Sequence, residues 1–431
     1  MISSCPAPRD GTRMRLRDNA DIVFAPSPLG GLGLARLRRL ACAPRSGRAG
    51  GCSPGADSAV ARPFADSMAA VRHRTTSAAC FIPLWASALP CVRTVFRRQR
   101  TCTMCTAQDS DAATSRNVAN ARAVFDRLLR QYERRTPQMA QVRSRLVDES
   151  GRALPLENDH VAFRTLGTAP LGISSIERVL ESLGYTRRDG LSFEQKKLDA
   201  FWYSAPESAD TLYDPLPRVF VSELRFHELT NDAQRIIHEY VAQVDDRYKP
   251  GGALFAPQSV DEMVEFFGGD EQTPVLPWPA VTRAHYDRLS SESEYAGWVL
   301  TQGNQLNHFT VSVHSLPDHL DTCEKISDAL SDVSQGAALV FNRSGGGIVK
   351  VSPDGLLRQC ATMAAEVPFR FADEADECLI PGAYVEFAER LALPAYKDLR
   401  KCDLKRHMRR DGFESANADR IFESTSSAAS Q

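Results

Sequence analysis

The sequence predicts an α+β fold in which a curved, mixed or antiparallel sheet surrounds a pocket and carries added helices. Three observations lead there. Helix-like and strand-like segments come in blocks: helix, strands, a helical insertion, then helix and strands again. Three strand-like stretches, Asn158 to Thr165, Asn307 to His314 and Tyr384 to Arg390, share one alternation, and each offers one good metal ligand on a strand face. In the first of them His160 and Arg164 point the same way, with the small Ala162 between them and Val161 and Phe163 on the core side.

Taken in order, residues 1–105 form an Arg-rich leader. Residues 1–100 carry 16 Arg, no Lys and five acids, and lack sustained apolar periodicity. This is the composition of an organelle transit peptide, for a plastid or mitochondrion. The alternative is an upstream extension with translation starting near Met104, which would leave the protein cytoplasmic. The apolar run Phe81 to Leu89 is too short to span a bilayer, so no membrane span is expected.

One folded domain is expected over 116–426, with a helical insertion at about 225–300 and a short tail, 427–431. Ala121, Val124, Phe125, Leu128, Leu129 and Tyr132 recur at helical spacing, and Pro137 divides a pair of helices. Ser174 to Leu183 suits a helix capped by Ser174 or Ser175 and closed by Gly184. Phe201 to Tyr203 and Pro217 to Leu224 read as strands, and Ala233 to Val244 as an amphipathic helix.

Residues 250–279 read as loop, with Gly-Gly and Pro punctuation. Short helices at Arg283 to Ser290 and Glu294 to Val299 lead to the second His strand, and Pro317 to Leu330 is helical. Strands then follow at Ala337 to Phe341, Gly347 to Val351, Glu366 to Phe371 and around Glu386. No internal sequence repeat is evident.

Charge and cysteine usage narrow the function classes. The net charge is −2, but residues 101–431 hold 36 basic and 49 acidic side chains, a net of −13, which argues against a nucleic-acid partner. Seven of the 11 cysteines precede residue 106; Cys323, Cys360, Cys378 and Cys402 are dispersed and form no CxxC pair. That fits a reducing compartment and argues against a disulfide framework or a Cys-type zinc site. Asn342 to Gly347 lacks the spacing of a phosphate loop and leads into a strand, so it reads as a hairpin turn.

Two histidines and one carboxylate with open coordination positions suit non-haem Fe(II) and oxygen chemistry. His160, His308 and Glu386 would supply such a set from three strands. His314 competes with His308 for its place, and Glu366, Glu374 and Glu377 compete with Glu386. Arg164 suits a bidentate carboxylate clamp, with a salt bridge to Glu157 or Asp159 as the alternative role.

At these residues the sequence resembles the 2-oxoadipate dioxygenase/decarboxylase family, the hydroxyglutarate synthases, including its plant floury-endosperm branch. The strongest blocks are Asn158 to Thr165, Asn307 to Thr310, Tyr384 to Arg390 and Arg410 to Thr425. The resemblance implies a vicinal-oxygen-chelate-like sheet, His160, His308 and Glu386 as iron ligands, and Arg164 on a substrate carboxylate. It also implies substrate contacts from Ala416, through its backbone, and Asn417. The implied reaction converts 2-oxoadipate and O2 to 2-hydroxyglutarate and CO2 on Fe(2+), in lysine catabolism, without added 2-oxoglutarate or nicotinamide. The alternatives are a metal-dependent enzyme acting on another 2-oxo acid, or a non-catalytic, metabolite-binding plastid regulator. The oligomeric state is not fixed by the sequence.

Overall fold

Nine consecutive buried residues form strand β1 (Asn158–Leu166), a pattern that belongs to the middle of a sheet rather than to its edge. After it come β2 (Thr186–Phe193), β3 (Leu198–Ser204), β4 (Arg218–Leu224), β5 (Leu306–Ser312), β6 (Lys350–Val351) and β7 (Leu357–Ala361). A hairpin of β8 (Glu366–Phe369) and β9 (Cys378–Pro381) precedes β10 (Tyr384–Arg390). The computed structural model describes residues 103–206, 215–269 and 275–426, with side chains from Thr114 onward. Eight of the strands make one mixed sheet in the order β2-β3-β4-β1-β5-β10-β7-β6.

The pairing contains a repeat that the sequence hides. β1 is followed by helix α3 (Ile173–Ser182) and then β2, β3 and β4, with β4 returning parallel beside β1. β5 is followed by α8 (Cys323–Ser331) and then β6, β7 and β10, with β10 returning parallel beside β5. Each unit is a strand, a helix and three strands, and the two join through the antiparallel β1–β5 pair. The centre of the sheet is thus β4-β1-β5-β10, and three of those strands carry the predicted ligands.

Helices α1 (Thr103–Arg135) and α2 (Pro137–Arg145) are separated at Thr136, and Pro137 opens the second, where its missing N–H costs no helical bond. Ala121, Val124, Phe125, Leu128 and Tyr132 of α1 are fully buried against the sheet core. The helix starts upstream of residue 116, because polar and alanine-rich residues continue it without an apolar stripe. Residues 1–102 of the predicted leader, and the tail 427–431, lie outside the described residues.

Between β4 and β5 lie α4 (Asn231–Ala242), α5 (Val260–Phe266), α6 (Arg283–Glu292) and α7 (Glu294–Gln302). Several local expectations are corrected. Helix α3 is capped by Gly172, not by Ser174 or Ser175; Ser175 sits inside the first turn with its hydroxyl on the Gly172 carbonyl. Gly184, at φ +83°, closes it as expected. Within the stretch read as loop, α5 is held by a complete capping box between Ser259 and Glu262. The helix expected from Pro317 begins at Cys323, after Thr322 caps it. Ala337 to Phe341 is not a strand: Phe341 forms one isolated bridge with Thr362, and Val340 is exposed. No helix of the described residues is long and apolar enough to cross a membrane.

Candidate metal centre and carboxylate pocket

The central strands bring His160, His308 and Glu386 together, and all three are buried. Their donor atoms lie within 4.8 Å of one another. The two Nε2 atoms are 3.3 Å apart, and Glu386 reaches them through separate oxygens, Oε1 at 3.5 Å from His160 and Oε2 at 3.3 Å from His308. Thr310 Oγ1 lies 3.1 Å from His160 Nε2.

The far side of each imidazole explains its orientation. His160 Nδ1 is 2.8 Å from Asp159 Oδ1, and His308 Nδ1 is 3.1 Å from Asn307 Oδ1. An acceptor at Nδ1 keeps the proton there and turns the Nε2 lone pair inward, the arrangement metal-bound histidines need. Neighbours on a regular strand face opposite ways, so this contact needs a break in the ladder. The β1–β5 pairing has its two irregularities at these dipeptides, between Asn158 and Val161 and at Asn307. Two β-bulges thus turn each Asx side chain onto the following histidine.

Electrostatics favour a cation here. Two inward lone pairs and a carboxylate within hydrogen-bond distance repel one another unless a proton or a positive ion sits between them. Burial, with the positive charges of His160 and Arg164, holds His308 well below the ordinary imidazole range. Burial would also lower His160, but Glu386 and Asp159 outweigh it and raise that ring. Gln359 Nε2 donates to Glu386 Oε1 at 2.7 Å and fixes the carboxylate plane. The N2O donor set on one face of the sheet is of the kind that holds a divalent first-row metal.

The competing ligands are elsewhere. His314 lies in the turn after β5 and its Nδ1 accepts from the Arg390 backbone N–H. Glu366, Glu374 and Glu377 are exposed, and Glu389 accepts from the Cys323 backbone N–H.

Arg164 is 1% exposed and shares the His160 face of β1. It pairs with neither Glu157 nor Asp159. Asp159 is held by Arg390 in a bidentate pair of 2.7 and 2.9 Å and by Arg218 at 3.4 Å. Arg164 instead donates to Thr425 Oγ1 at 3.1 Å and stands 3.6 Å from Glu294. Its Nε and one terminal nitrogen make no hydrogen bond, and its guanidinium lies among the Tyr295, Trp298 and Phe422 rings. A buried guanidinium with spare donors, four residues or about 13 Å along the strand from His160, has the chemistry to bind a carboxylate in the same pocket.

The wall opposite the sheet comes from the C-terminal segment. Helix α9 (Ser415–Ile421) presents Ala418 and Ile421 to the pocket, followed by Phe422, while Phe413 stacks edge-on against His160. Ala416 is exposed and is not among the lining residues, because the helix turns that position outward. Asn417 is fully buried but faces the sheet, with Nδ2 3.1 Å from Gln359 Oε1. It therefore meets the pocket through Gln359 and Glu386. The free volume between these walls is about 20 Å3, roughly one water.

Tyr384, whose ring packs on His308, and Gln359 also line the pocket and carry no signal in the sequence, whereas Phe413, Ile421 and Phe422 belong to the C-terminal block expected there. For the Asx partners a signal existed: an Asp or Asn directly precedes each histidine.

Comparison with known proteins agrees with this geometry. A model of the 2-oxoadipate dioxygenase/decarboxylase family matches residues 116–403. The chloroplastic 2-oxoadipate dioxygenase/decarboxylase of Arabidopsis thaliana is 39% identical over 62% of this chain and 67% of its own length. The crystal structure of hydroxyglutarate synthase from Oryza sativa in complex with 2-oxoadipate is 35% identical. That match covers 82% of this chain and 99% of the other, with a TM-score of 0.62. A glyoxalase-superfamily protein from Ralstonia eutropha shares the fold at 20% identity and a TM-score of 0.53, over 69% of this chain and 87% of its own. The architecture is the vicinal-oxygen-chelate-like sheet with added helices.

Proposed function

The chain belongs to the 2-oxoadipate dioxygenase/decarboxylase family, and from that membership we propose that it converts 2-oxoadipate and O2 to 2-hydroxyglutarate and CO2 with Fe(2+) held by His160, His308 and Glu386. The observation that carries the reading is the pairing of that three-ligand cluster with the unsatisfied donors of Arg164 on one strand face. Bound iron would supply the Lewis acidity and redox chemistry for the 2-oxo group and O2.

The protein's own groups do the rest. Asp159 and Asn307 hold the Nδ1 protons, so both rings present lone pairs. Gln359 holds Glu386 in plane. Arg164 receives the distal carboxylate, which fixes chain length and sets the 2-oxo end against the ligand cluster. Phe413, Ile421 and Phe422 exclude water from the reacting end. Substrate contact from the C-terminal helix passes to Ala418 and Ile421, with Asn417 acting through Gln359. The Arg-rich leader then directs the enzyme to an organelle, as the chloroplastic relative suggests, where it would serve lysine breakdown.

The test is oxygen uptake by the full chain, loaded anaerobically with Fe(II) and given 2-oxoadipate. Equal amounts of O2 consumed, CO2 released and 2-hydroxyglutarate formed are expected. Bound iron with no uptake, but uptake with another 2-oxo acid, would replace the substrate. Failure to bind metal in a folded protein would remove the reading.

A further inference from the structure

On the reading that His160, His308 and Glu386 hold a metal, on which this inference rests, we propose that Phe220 is a specificity-determining residue. It occupies the place of a fourth ligand and so reserves that side of the metal for substrate.

The two strand–helix–three-strand units can be laid on one another residue by residue, because three features fix their register. Asp159-His160 on β1 answers to Asn307-His308 on β5, each Asx side chain holding Nδ1 of the ring that follows. In the backbone pairing His160 lies opposite Arg218 of β4, and His308 opposite Tyr384 of β10. Five residues farther along each returning strand is a glutamate. Glu223 accepts from the Ile173 backbone N–H at 2.7 Å, and Glu389 from that of Cys323 at 3.1 Å. Ile173 and Cys323 are the first residues of α3 and α8, where a carboxylate is favourable, so the same contact is made twice.

With the register fixed, Val219 and Val221 correspond to Val385 and Phe387, all fully buried. Phe220 corresponds to Glu386. Two equal units would place four donors around one centre, two from each. This chain places three donors and a benzyl ring, and among the described residues the cluster that could hold a metal has no fourth member. Phe220 lines the same pocket as the cluster and is buried, its ring centroid 5.0 Å from that of Phe413 and 6.4 Å from that of Phe422. Phe413 in turn meets His160 edge-on at 4.8 Å. Beyond His160 and toward β4, the near wall is therefore Ala162 and Phe220, which are register partners and offer no donor.

The identity of this one side chain decides what the centre can accept. A carboxylate at position 220 would fill a coordination position and set a further negative charge in the path of a diacid. A phenyl ring does neither, and it keeps water from that side.

The experiment is anaerobic titration of the full apo chain with Co(II), followed by its visible bands, and then of the Co(II)-loaded chain with 2-oxoadipate. Phe220→Glu should bind Co(II) about tenfold or more tightly than the native chain, with altered bands, and 2-oxoadipate about tenfold or more weakly. Ser222→Glu lies on the same strand face but opposite Arg164 in the ladder, and should gain no Co(II) affinity. Circular dichroism with and without Co(II) separates folded from unfolded variants. Should the buried carboxylate prevent folding, Phe220→His makes the same comparison with a neutral donor. Unchanged or weaker Co(II) affinity in the folded variant would overturn the proposal, because position 220 would then not be a ligand position. So would an equal gain in Ser222→Glu. Tighter Co(II) binding with 2-oxoadipate affinity retained would overturn it too, since the corner would not be reserved for substrate. A native chain that takes up no Co(II) would remove the metal reading itself, and this inference with it.

Discussion

The two walls of the pocket are made differently. One is a set of central strands, β1, β5 and β10, whose backbone ladders fix the ligands regardless of what binds. The other is a C-terminal segment around the short helix α9, which touches the sheet through a few side chains, among them Phe413 before the helix, Asn417 in it and Phe422 after it. The strand wall holds the His160, His308 and Glu386 cluster. The helical wall supplies enclosure. Breaking the first should abolish function with the fold intact; breaking the second should grade it.

The largest effect is expected from the strand wall. His308→Ala removes one of three ligands while leaving the β5 ladder, so metal content and turnover should fall to background with the thermal melt still cooperative. Metal analysis beside circular dichroism checks this. A variant that keeps stoichiometric iron would take His308 out of the site.

Arg164→Ala comes next. Loss of a buried guanidinium from a substrate carboxylate should cost about 3 kcal/mol, roughly a hundredfold in KM for 2-oxoadipate, with iron content unchanged. The same variant should hardly alter turnover of 2-oxohexanoate, which has no distal carboxylate. Equal losses with both substrates would return Arg164 to a structural role with Glu294.

Sequence legibility divides along the same line. Strand ligands could be read because alternation gives each residue a face, and β1, β5 and β10 are buried along their whole length. β2 was not read because it is exposed along most of its length and lacks an apolar alternation. α5 was hidden among Gly and Pro residues although its Ser-x-x-Glu cap is in the sequence. The paired strand–helix–strand units left no sequence trace, since pairing order constrains burial but not residue identity. The helical wall was half legible. Its block was found, but side-chain direction on a seven-residue helix depends on docking, so Ala416 was chosen where Ala418 and Ile421 face the pocket.

Gln359 joins the two walls, accepting from Asn417 of α9 and donating to Glu386. Gln359→Leu keeps the volume and removes both bonds. Metal affinity should fall about tenfold, the usual scale for a partner that orients a ligand, with KM for substrate little changed at saturating iron. Asn417→Ala should produce a smaller loss of the same kind. A change in KM alone would mean that these residues touch substrate directly.

The smallest effect should come from the outer fastening of the helical wall. Lys196 reaches Asp419 at 3.0 Å and Glu423 at 2.7 Å, tying α9 and the turn after it to the segment between β2 and β3. All three side chains are partly exposed, so solvent screens the pairs, and Lys196→Met should lower global stability by only about 1 kcal/mol or less. Local opening is another matter. The pocket has room for about one water, so if substrate enters past this segment, the segment's opening equilibrium enters binding and release. Lys196→Met should therefore speed amide hydrogen exchange across 415–425 while β1 stays as protected as before, and should raise the substrate off-rate a few-fold. Faster exchange in β1 as well would mean that the two walls open together, and the division between a rigid sheet and a yielding helix would be lost.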